Sequence, residues 1–222
     1  MKKHLKWIIP CILFILIAPF TPKLDLLISH FFYIDHFSKA PIWQLFYDYG
    51  TWPAWIVAVI SLIIIIASFF SAYWKKFKKD ALLFLCSLIL GGGIITNLLL
   101  KQFWQRPRPV QLDEFGGFIY YHPFWIPLHE YTIEPGRSFP CGHCTMGFIF
   151  LAFCFIGIRR NNRPIFYTGL FITLFLGIGL SLSRIAMGGH FFSDTLASLL
   201  IMWLSIVTMD AFLYRKNSLC TD

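Results

Sequence analysis

Residues 52–74 of the chain read WPAWIVAVISLIIIIASFFSAYW, and residues 81–100 read ALLFLCSLILGGGIITNLLL. Neither run contains a charged side chain. Each run reaches the roughly 20 residues that an α-helix needs to cross the hydrocarbon core of a bilayer. These two stretches therefore predict an all-α membrane protein.

Four further apolar runs lie on either side of this pair. They cover residues 7–20, 145–158, 165–182 and 195–209. The first run follows three lysines and could be the apolar part of a signal peptide, but no small-residue cleavage site follows it, so we expect an uncleaved helix. The runs together predict a bundle of about six transmembrane helices with both termini on the same side. We expect one membrane domain over residues 1–222, with an N-terminal helix and an outer interfacial loop within residues 1–50.

The composition favours a membrane protein and excludes several soluble classes. Hydrophobic residues make up 57% of the chain and charged residues only 14%, with a mean hydropathy of +0.66. The net charge of +8 would favour nucleic acid if the basic residues gathered in one polar region, but they form short clusters between the apolar runs. We therefore expect no nucleic-acid partner, and we exclude a disordered chain and a disulfide-stapled secreted module.

Lysine and arginine are distributed unevenly over alternate loops. One side carries 12 of them, namely Lys2, Lys3, Lys6, Lys75, Lys76, Lys78, Lys79, Arg159, Arg160, Arg163, Arg215 and Lys216. The other side carries 7, namely Lys23, Lys39, Lys101, Arg106, Arg108, Arg137 and Arg184. Because cytoplasmic loops hold the excess of positive charge, the first side, with both termini, is expected to be cytoplasmic. The loops at 22–51, 101–142 and 183–194 would then face the periplasm from a bacterial inner membrane.

Two of the outward stretches lie at helix ends. Residues 101–109, KQFWQRPRP, close the third helix, because its two prolines cannot continue a helix. They place Lys101 and Arg108 at the membrane surface. Residues 138–143, SFPCGH, come directly before the fourth helix, where free backbone N–H groups around Gly142 can bind an anion beside His143.

The third outward stretch, residues 183–194, reads SRIAMGGHFFSD. If the sixth helix begins near His190, Asp194 falls on the same helix face and can accept a hydrogen bond from the imidazole. Such a carboxylate fixes the tautomer and stabilises the ring once it is cationic. Guanidinium groups such as that of Arg184 match the oxygens of a phosphate. A metal site made of His143, His190 and Asp194 also remains open on spacing alone.

Taken together, three motifs resemble the signature of the type 2 phosphatidic acid phosphatase (PAP2) superfamily of membrane lipid phosphatases. They are Lys101-x6-Arg108-Pro109, Pro140-Cys141-Gly142-His143 and Ser183-Arg184-x5-His190-x3-Asp194. The resemblance covers about residues 50–214, with the core signature within 97–194, and implies a PAP2-type helix bundle with its active site at the periplasmic face. One departure is Cys141, where the family usually has serine, so a thiol replaces a better hydrogen-bond donor.

The resemblance also implies a role for each motif residue. His190 would attack phosphorus and form a phosphohistidine, and Asp194 would orient it. His143 would protonate the leaving group and then activate water. Phosphate binding would fall to Lys101, Arg108, Arg184, Gly142 and Cys141. Neither a metal nor another cofactor is then expected.

The residues flanking the motifs narrow the expected substrate. FWQRPRPVQLDEFGG at 103–117, CGHCTMGF at 141–148 and MGGHFFSD at 187–194 are similar to bacterial lipid A phosphatases, especially the 4′-phosphatase type. The expected partner is therefore a phosphorylated lipid in the membrane. Undecaprenyl pyrophosphate and phosphatidylglycerophosphate are alternative substrates, and a lipid phosphotransferase would use the same residues.

Two other classes of function compete with a phosphatase. The stretch from Cys141 to Cys144 has the CxxC spacing of disulfide oxidoreductases, but the apolar helical runs around it do not offer the βαβ context of that motif. A transporter would need polar positions deep inside its helices. The second and third helices hold almost none, so both alternatives are disfavoured.

Overall fold

The computed structural model describes residues 4–127 and 136–214 of the chain. Four of the cations counted in the orientation argument lie outside these residues, namely Lys2, Lys3, Arg215 and Lys216. All residues of the three motifs lie within them.

Six helices in the described residues are long and apolar enough to cross a membrane. They are α1 (Leu5–Phe32), α2 (Pro41–Ala67), α3 (Lys78–Phe103), α4 (Gly142–Arg159), α5 (Arg163–Ala186) and α6 (Phe192–Leu213). Between α1 and α2, two short antiparallel strands, β1 (Tyr33–Ile34) and β2 (His36–Phe37), form the only sheet in the described part of the chain. The expected all-α membrane fold with six spanning helices is therefore confirmed.

Most of these helices contain local changes of helical geometry. In chain order their segments are Leu5–Ile17, Ala18–Phe20 and Thr21–Phe32 in α1, Pro41–Tyr49 and Trp52–Ala67 in α2, Lys78–Ser87, Leu88–Leu100 and Lys101–Phe103 in α3, Gly142–Phe148 and Leu151–Arg159 in α4, and Arg163–Ile172, Thr173–Gly177 and Ile178–Ala186 in α5. The segments Leu88–Leu100 and Thr173–Gly177 are π-helical. Short helices outside the six spans are Ala72–Lys75, Pro109–Gln111 and Asp113–Phe115.

The first helix is longer than the sequence analysis predicts. We expected it to end at Phe20, with an outer loop from 22 to 51, and both boundaries are wrong. Pro19 and Pro22 each lie in the first turn of a helical segment. A proline is tolerated there because its missing N–H would have had no partner within the helix. The chain therefore stays helical to Phe32, and α2 begins at Pro41.

Helix α6 lies at the centre of the bundle and packs against α1, α3 and α4. Met202 and Ile206 on α6 join Phe84 on α3 and Ile149 after the first segment of α4 in the main apolar core. Helices α4 and α5 approach closely, since a Cβ atom added to Gly147 would lie 2.6 Å from the Cα atom of Gly177. Small residues allow such backbone contact between membrane helices.

The alternating direction of the helices separates two kinds of charged residue. The end of α3, the start of α4, the end of α5 and the start of α6 lie at one end of the bundle, and these ends carry the three motifs. At the opposite end, Arg159 donates to Asp210 over 2.7 Å, and Arg160 forms an ion pair with Asp80. The motif residues are thus gathered at one end of the bundle by its topology.

Candidate active site

The end of α3 and the start of α4 meet at Lys101 and Gly142. A Cβ atom added to Gly142 would lie 3.4 Å from Nζ of Lys101 and 3.0 Å from Oδ1 of Asn97. Asn97 is itself held by a 2.7 Å hydrogen bond from its Nδ2 to the carbonyl of Gly92. The absence of a side chain at residue 142 therefore leaves the room that the lysine head group occupies.

His143 and Arg184 both contact Tyr47, a residue outside the three sequence motifs. The His143 ring stacks on Tyr47, with ring centroids 5.0 Å apart and planes inclined by 20°. The Arg184 guanidinium lies 4.6 Å from the centroid of the same tyrosine ring. Tyr47 falls within residues 22–51, which the sequence analysis assigned to an outer loop with no part in the site. Its contact with two motif residues depends on α2 beginning at Pro41, which hydropathy did not reveal.

The three motif cations form no ion pair with a carboxylate of the described residues. Within residues 4–127 and 136–214, none of Lys101, Arg108 and Arg184 forms an ion pair. Arg108 lies between two prolines, and its backbone N–H donates to Gln111 Oε1 over 2.8 Å, which fixes the chain direction at this residue. This end of the bundle therefore offers positive charge to an anionic ligand.

His190 lies in the short connection between α5 and α6, and its side chain is only 2% exposed. Its Nδ1 atom is 2.6 Å from the carbonyl oxygen of Ser138. Because a carbonyl can only accept, Nδ1 carries the hydrogen and Nε2 keeps its lone pair. Burial lowers the pKa of His190 to about 4, although the neighbouring Asp194 carboxylate acts in the opposite direction. The ring is therefore neutral near pH 7, with a nucleophilic nitrogen.

Asp194 lies in the first turn of α6, which begins at Phe192, two residues after His190. Its Oδ2 atom accepts from Ser138 Oγ at 2.5 Å and from the Phe191 N–H at 2.8 Å. The distance from Oδ2 to Nδ1 of His190 is 3.6 Å, so the direct hydrogen bond of the imidazole goes to Ser138. The carboxylate lies beside the ring and also holds the residue that accepts the ring hydrogen.

Arg106 is the main site residue that sequence reasoning missed, because it was counted only as an outer-loop cation. Its side chain is fully buried, and Nη1 donates to Asp194 Oδ1 at 2.5 Å. Nη2 donates to Asp25 Oδ2 on α1 at 2.8 Å. Burial alone would lower the pKa of the Arg106 guanidinium, but the two carboxylates outweigh that effect and raise this pKa above its ordinary value. The one available signal was an acidic residue, Asp25, close to an apolar run.

Cys141 does not present a donor to the site. Its sulfur is bonded to that of Cys144, so it has no S–H to donate. Its backbone N–H donates to the carbonyl of Asp194 at 3.3 Å. Of the five residues expected to bind phosphate, Cys141 is thus the one whose hydrogen-bonding groups are already engaged.

The described residues contain no group of three or more histidine, cysteine, aspartate or glutamate side chains placed to hold a metal ion. The arrangement of His143, His190 and Asp194 that spacing left open is therefore not formed as a ligand set. What the structure brings to one end of the bundle is a neutral imidazole, a second imidazole and three cations.

Comparisons with known proteins agree with this arrangement. The PAP2 superfamily profile matches residues 80–218, which contain all three motifs. The chain is 28% identical over 165 residues to the lipid A 4'-phosphatase of Francisella tularensis subsp. novicida, covering 74% of this chain and 72% of that protein. It is 26% identical over 147 residues to a lipid A 4'-phosphatase of Rhizobium etli, covering 60% of this chain and 51% of the relative.

A relative with a different name matches over a similar range. Phosphatidylglycerophosphatase B of Haemophilus influenzae is 31% identical over 129 residues, which cover 54% of this chain and 52% of that protein. The chain thus spans about half the length of the Rhizobium etli and Haemophilus influenzae relatives. No solved structure matches the chain. Because the family profile covers more than half of the chain, and because the relatives it resembles are phosphatases, this protein is a multi-pass membrane phosphatase that belongs to the PAP2 superfamily.

Proposed function

We propose that the protein removes the 4′-phosphate of lipid A at the periplasmic face of the bacterial inner membrane, through a phosphohistidine intermediate on His190. The observation that carries this proposal is the hydrogen bond from His190 Nδ1 to the Ser138 carbonyl, which leaves Nε2 free as a nucleophile. Lys101, Arg108 and Arg184, which form no ion pair within the described residues, support a doubly charged phosphate as the ligand beside it.

The reaction divides into two displacements at phosphorus. In the first, His190 Nε2 attacks the phosphorus atom, the bond between phosphorus and the lipid oxygen breaks, and His143 gives its proton to that oxygen. In the second, His143 takes a proton from water, and the resulting hydroxide attacks phosphorus. The bond between phosphorus and His190 then breaks and releases inorganic phosphate, with His143 protonated again.

The surrounding charges would favour both transition states. Lys101, Arg108 and Arg184 would stabilise the negative charge on the transferring phosphate oxygens. The backbone N–H of Gly142 would add one hydrogen bond. Asp194 would stabilise the imidazolium form of His190 while it carries the phosphate. A neutral histidine is needed for the attack, which agrees with its lowered pKa of about 4.

The proposed location follows from the distribution of basic residues. The excess of lysine and arginine lies in the loops opposite the motifs, so the motif end is expected to face the periplasm. A lipid head group at the outer surface of the inner membrane could then reach His190 without leaving the bilayer.

The choice of lipid A as the substrate rests on the names of the proteins that this chain resembles. The Francisella and Rhizobium relatives bear the name lipid A 4'-phosphatase, whereas the Haemophilus relative supports phosphatidylglycerophosphate as a second candidate. Undecaprenyl pyrophosphate and transfer of the phosphate to a second lipid remain compatible with the same residues.

The test is phosphate release by the detergent-purified protein. Three lipids are tested: lipid A with its 1- and 4′-phosphates, phosphatidylglycerophosphate and undecaprenyl pyrophosphate. Each is incubated with wild type, with His190→Ala and with a matched control, His4→Ala. His4 lies just before α1, at the end of the bundle opposite the motifs. We expect loss of the 4′-phosphate from lipid A with wild type and His4→Ala but not with His190→Ala. Faster phosphate release from phosphatidylglycerophosphate or undecaprenyl pyrophosphate than from lipid A would reject lipid A as the substrate. Equal release by His190→Ala and wild type would reject the phosphohistidine mechanism.

A further inference from the structure

A carboxylate from α1 lies against the active-site network, outside the part of the chain that matches the family. Asp25 is fully buried, as are Arg106, Ser193 and Asp194. Residues 80–218 carry the family match, so Asp25 belongs to none of its motifs. Asp25 lies in the last segment of α1, Thr21–Phe32, which the hydropathy of the sequence did not predict to be helical.

Both oxygens of Asp25 are occupied. Oδ1 accepts from the backbone N–H of Ser193 at 2.8 Å. Oδ2 accepts from Ser193 Oγ at 2.6 Å, from Arg106 Nη2 at 2.8 Å and from Tyr121 Oη at 2.9 Å. The Ser193 N–H belongs to the first turn of α6, where backbone N–H groups have no partner within the helix. Asp25 therefore holds the start of the helix that carries Asp194.

Arg106 connects the two carboxylates. Its guanidinium is planar, so fixing Nη2 on Asp25 also fixes the direction of Nη1. Nη1 donates to Asp194 Oδ1 and to Ser193 Oγ, and Nε donates to the carbonyl of His122 at 3.1 Å. Nη2 also donates to Tyr121 Oη at 3.2 Å. With Oδ1 held by Arg106, Oδ2 of Asp194 faces Ser138 and the His190 ring.

The charges of Asp25, Arg106 and Asp194 also support a role for Asp25 in the reaction. Arg106 carries one positive charge between two buried carboxylates, which leaves one negative charge in the network. Without Asp25, Arg106 would neutralise Asp194 alone, and less negative charge would remain to stabilise a cationic His190. Buried charges are strongly affected by the loss of one partner.

We infer that Asp25 is a positioning residue for the reaction: by holding the Arg106 guanidinium and the first turn of α6, it fixes Asp194 beside His190. This inference rests on the proposed role of His190 as the nucleophile and does not depend on which lipid is cleaved. It makes α1 part of the working site, although the family motifs lie elsewhere in the chain.

The first test compares Asp25→Asn with Asp210→Asn. Asp210 is also a buried carboxylate paired with an arginine, but it lies at the opposite end of the bundle. With the lipid that wild type cleaves fastest, Asp25→Asn should lower kcat by at least about tenfold and change KM little, because the contact acts on the nucleophile rather than on binding. Asp210→Asn should keep the wild-type kcat. Equal kcat values for Asp25→Asn and wild type would overturn the inference, as would equal losses in the two variants.

A double-mutant cycle separates positioning from general destabilisation. If Asp25 acts through Asp194, its replacement should have little further effect in an Asp194→Asn background. Losses in kcat that simply multiply would mean that the two residues act independently, which contradicts the inference.

Ser193→Ala provides a milder variant if Asp25→Asn does not accumulate. It removes one hydroxyl from the same network and keeps the charges of Asp25, Arg106 and Asp194. It should lower kcat, and an unchanged kcat would overturn the inference.

A spectroscopic measurement makes the result independent of the substrate. The imidazole NMR signals of His190 should shift in Asp25→Asn and stay in place in Asp210→Asn, and unmoved signals in both would contradict the inference. Failure of the proposed function would give a different pattern, in which wild type and His190→Ala are equally active. Failure of the inference alone would give an active wild type, an inactive His190→Ala and an unimpaired Asp25→Asn.

Discussion

The Nδ1 atom of His190 donates a hydrogen bond to the main-chain carbonyl oxygen of Ser138 over 2.6 Å. A main-chain acceptor cannot take the ring hydrogen away, so it fixes the tautomer in every protonation state of the neighbouring groups. Asp194 then contributes in two ways: its Oδ2 lies 3.6 Å from the same nitrogen, and it also accepts from Ser138 Oγ. The His190 ring is thus oriented by a serine and an aspartate together.

The first prediction concerns the protonation of His190. Because burial lowers its pKa to about 4, the ring should remain neutral where an ordinary histidine, with a pKa of about 6.5, gains a proton. The measurement is a pH titration of the imidazole NMR signals, with the His190 signals identified by their absence in His190→Ala. A His190 signal that titrates near the ordinary histidine value of about 6.5 would contradict the burial argument.

The second prediction concerns Arg108. A lysine keeps the charge but cannot form two parallel hydrogen bonds with a phosphate, so Arg108→Lys should lower kcat/KM by about a hundredfold. Arg163→Lys, at an exposed position at the other end of the bundle, is the matched control and should behave as wild type. Steady-state phosphate release measures both. An Arg108→Lys variant with wild-type kinetics would remove Arg108 from the phosphate site.

The third prediction concerns the space at Gly142. A Cβ atom at this residue would lie 3.0 Å from Asn97 Oδ1, closer than an ordinary van der Waals contact, and 3.4 Å from Lys101 Nζ, so Gly142→Ala should displace the Asn97 side chain beside Lys101. We expect kcat/KM to fall by about tenfold, since small displacements of positioning groups slow the reaction strongly. Gly93→Ala is the matched control, because a Cβ there would meet no atom within 4 Å. If the two variants have the same kcat/KM, the close approach of Lys101 to Gly142 does not matter for catalysis.

The fourth prediction separates the phosphatase from a thiol oxidoreductase. Cys144 is bonded to Cys141 and is fully buried, and the ring hydrogen of His190 goes to the Ser138 carbonyl rather than to a sulfur. Cys144→Ser should therefore release phosphate at a rate comparable to wild type, measured with and without a thiol reductant. Loss of activity in this variant while His190→Ala stays active would support the oxidoreductase alternative instead.

Part of this architecture could be predicted from the sequence because membrane helices are recognised by length and apolar composition alone. The charge-free runs at 52–74 and 81–100 predicted two of the helices. Lys101, His143 and Asp194 each lie near the end of a predicted helix, and because consecutive helices run in alternating directions, these three ends fall on the same side of the membrane. The boundaries of α1 and α2 were wrong because the segments Thr21–Phe32 and Pro41–Tyr49, which are less apolar than the runs next to them, continue these two helices.

The buried network could not be predicted for a different reason. Arg106 and Asp25 are separated by 81 residues, and Arg106 and Asp194 by 88. No local pattern links residues so far apart, and a rule that places charged side chains at the membrane surface assigns Arg106 to an outer loop. Tyr47 was missed in the same way, because its neighbours His143 and Arg184 lie on other helices.

The central claim is that His190 Nε2 becomes phosphorylated during turnover. The most direct test is rapid quenching of the purified protein with lipid A that carries a radiolabelled 4′-phosphate, followed by mapping of the labelled peptide. We expect label on His190 that is lost in acid and retained in alkali, as for a phosphorus–nitrogen bond, and no label in His190→Ala. Label on another residue, or turnover by wild type without any labelled protein at the shortest quench times, would contradict the account.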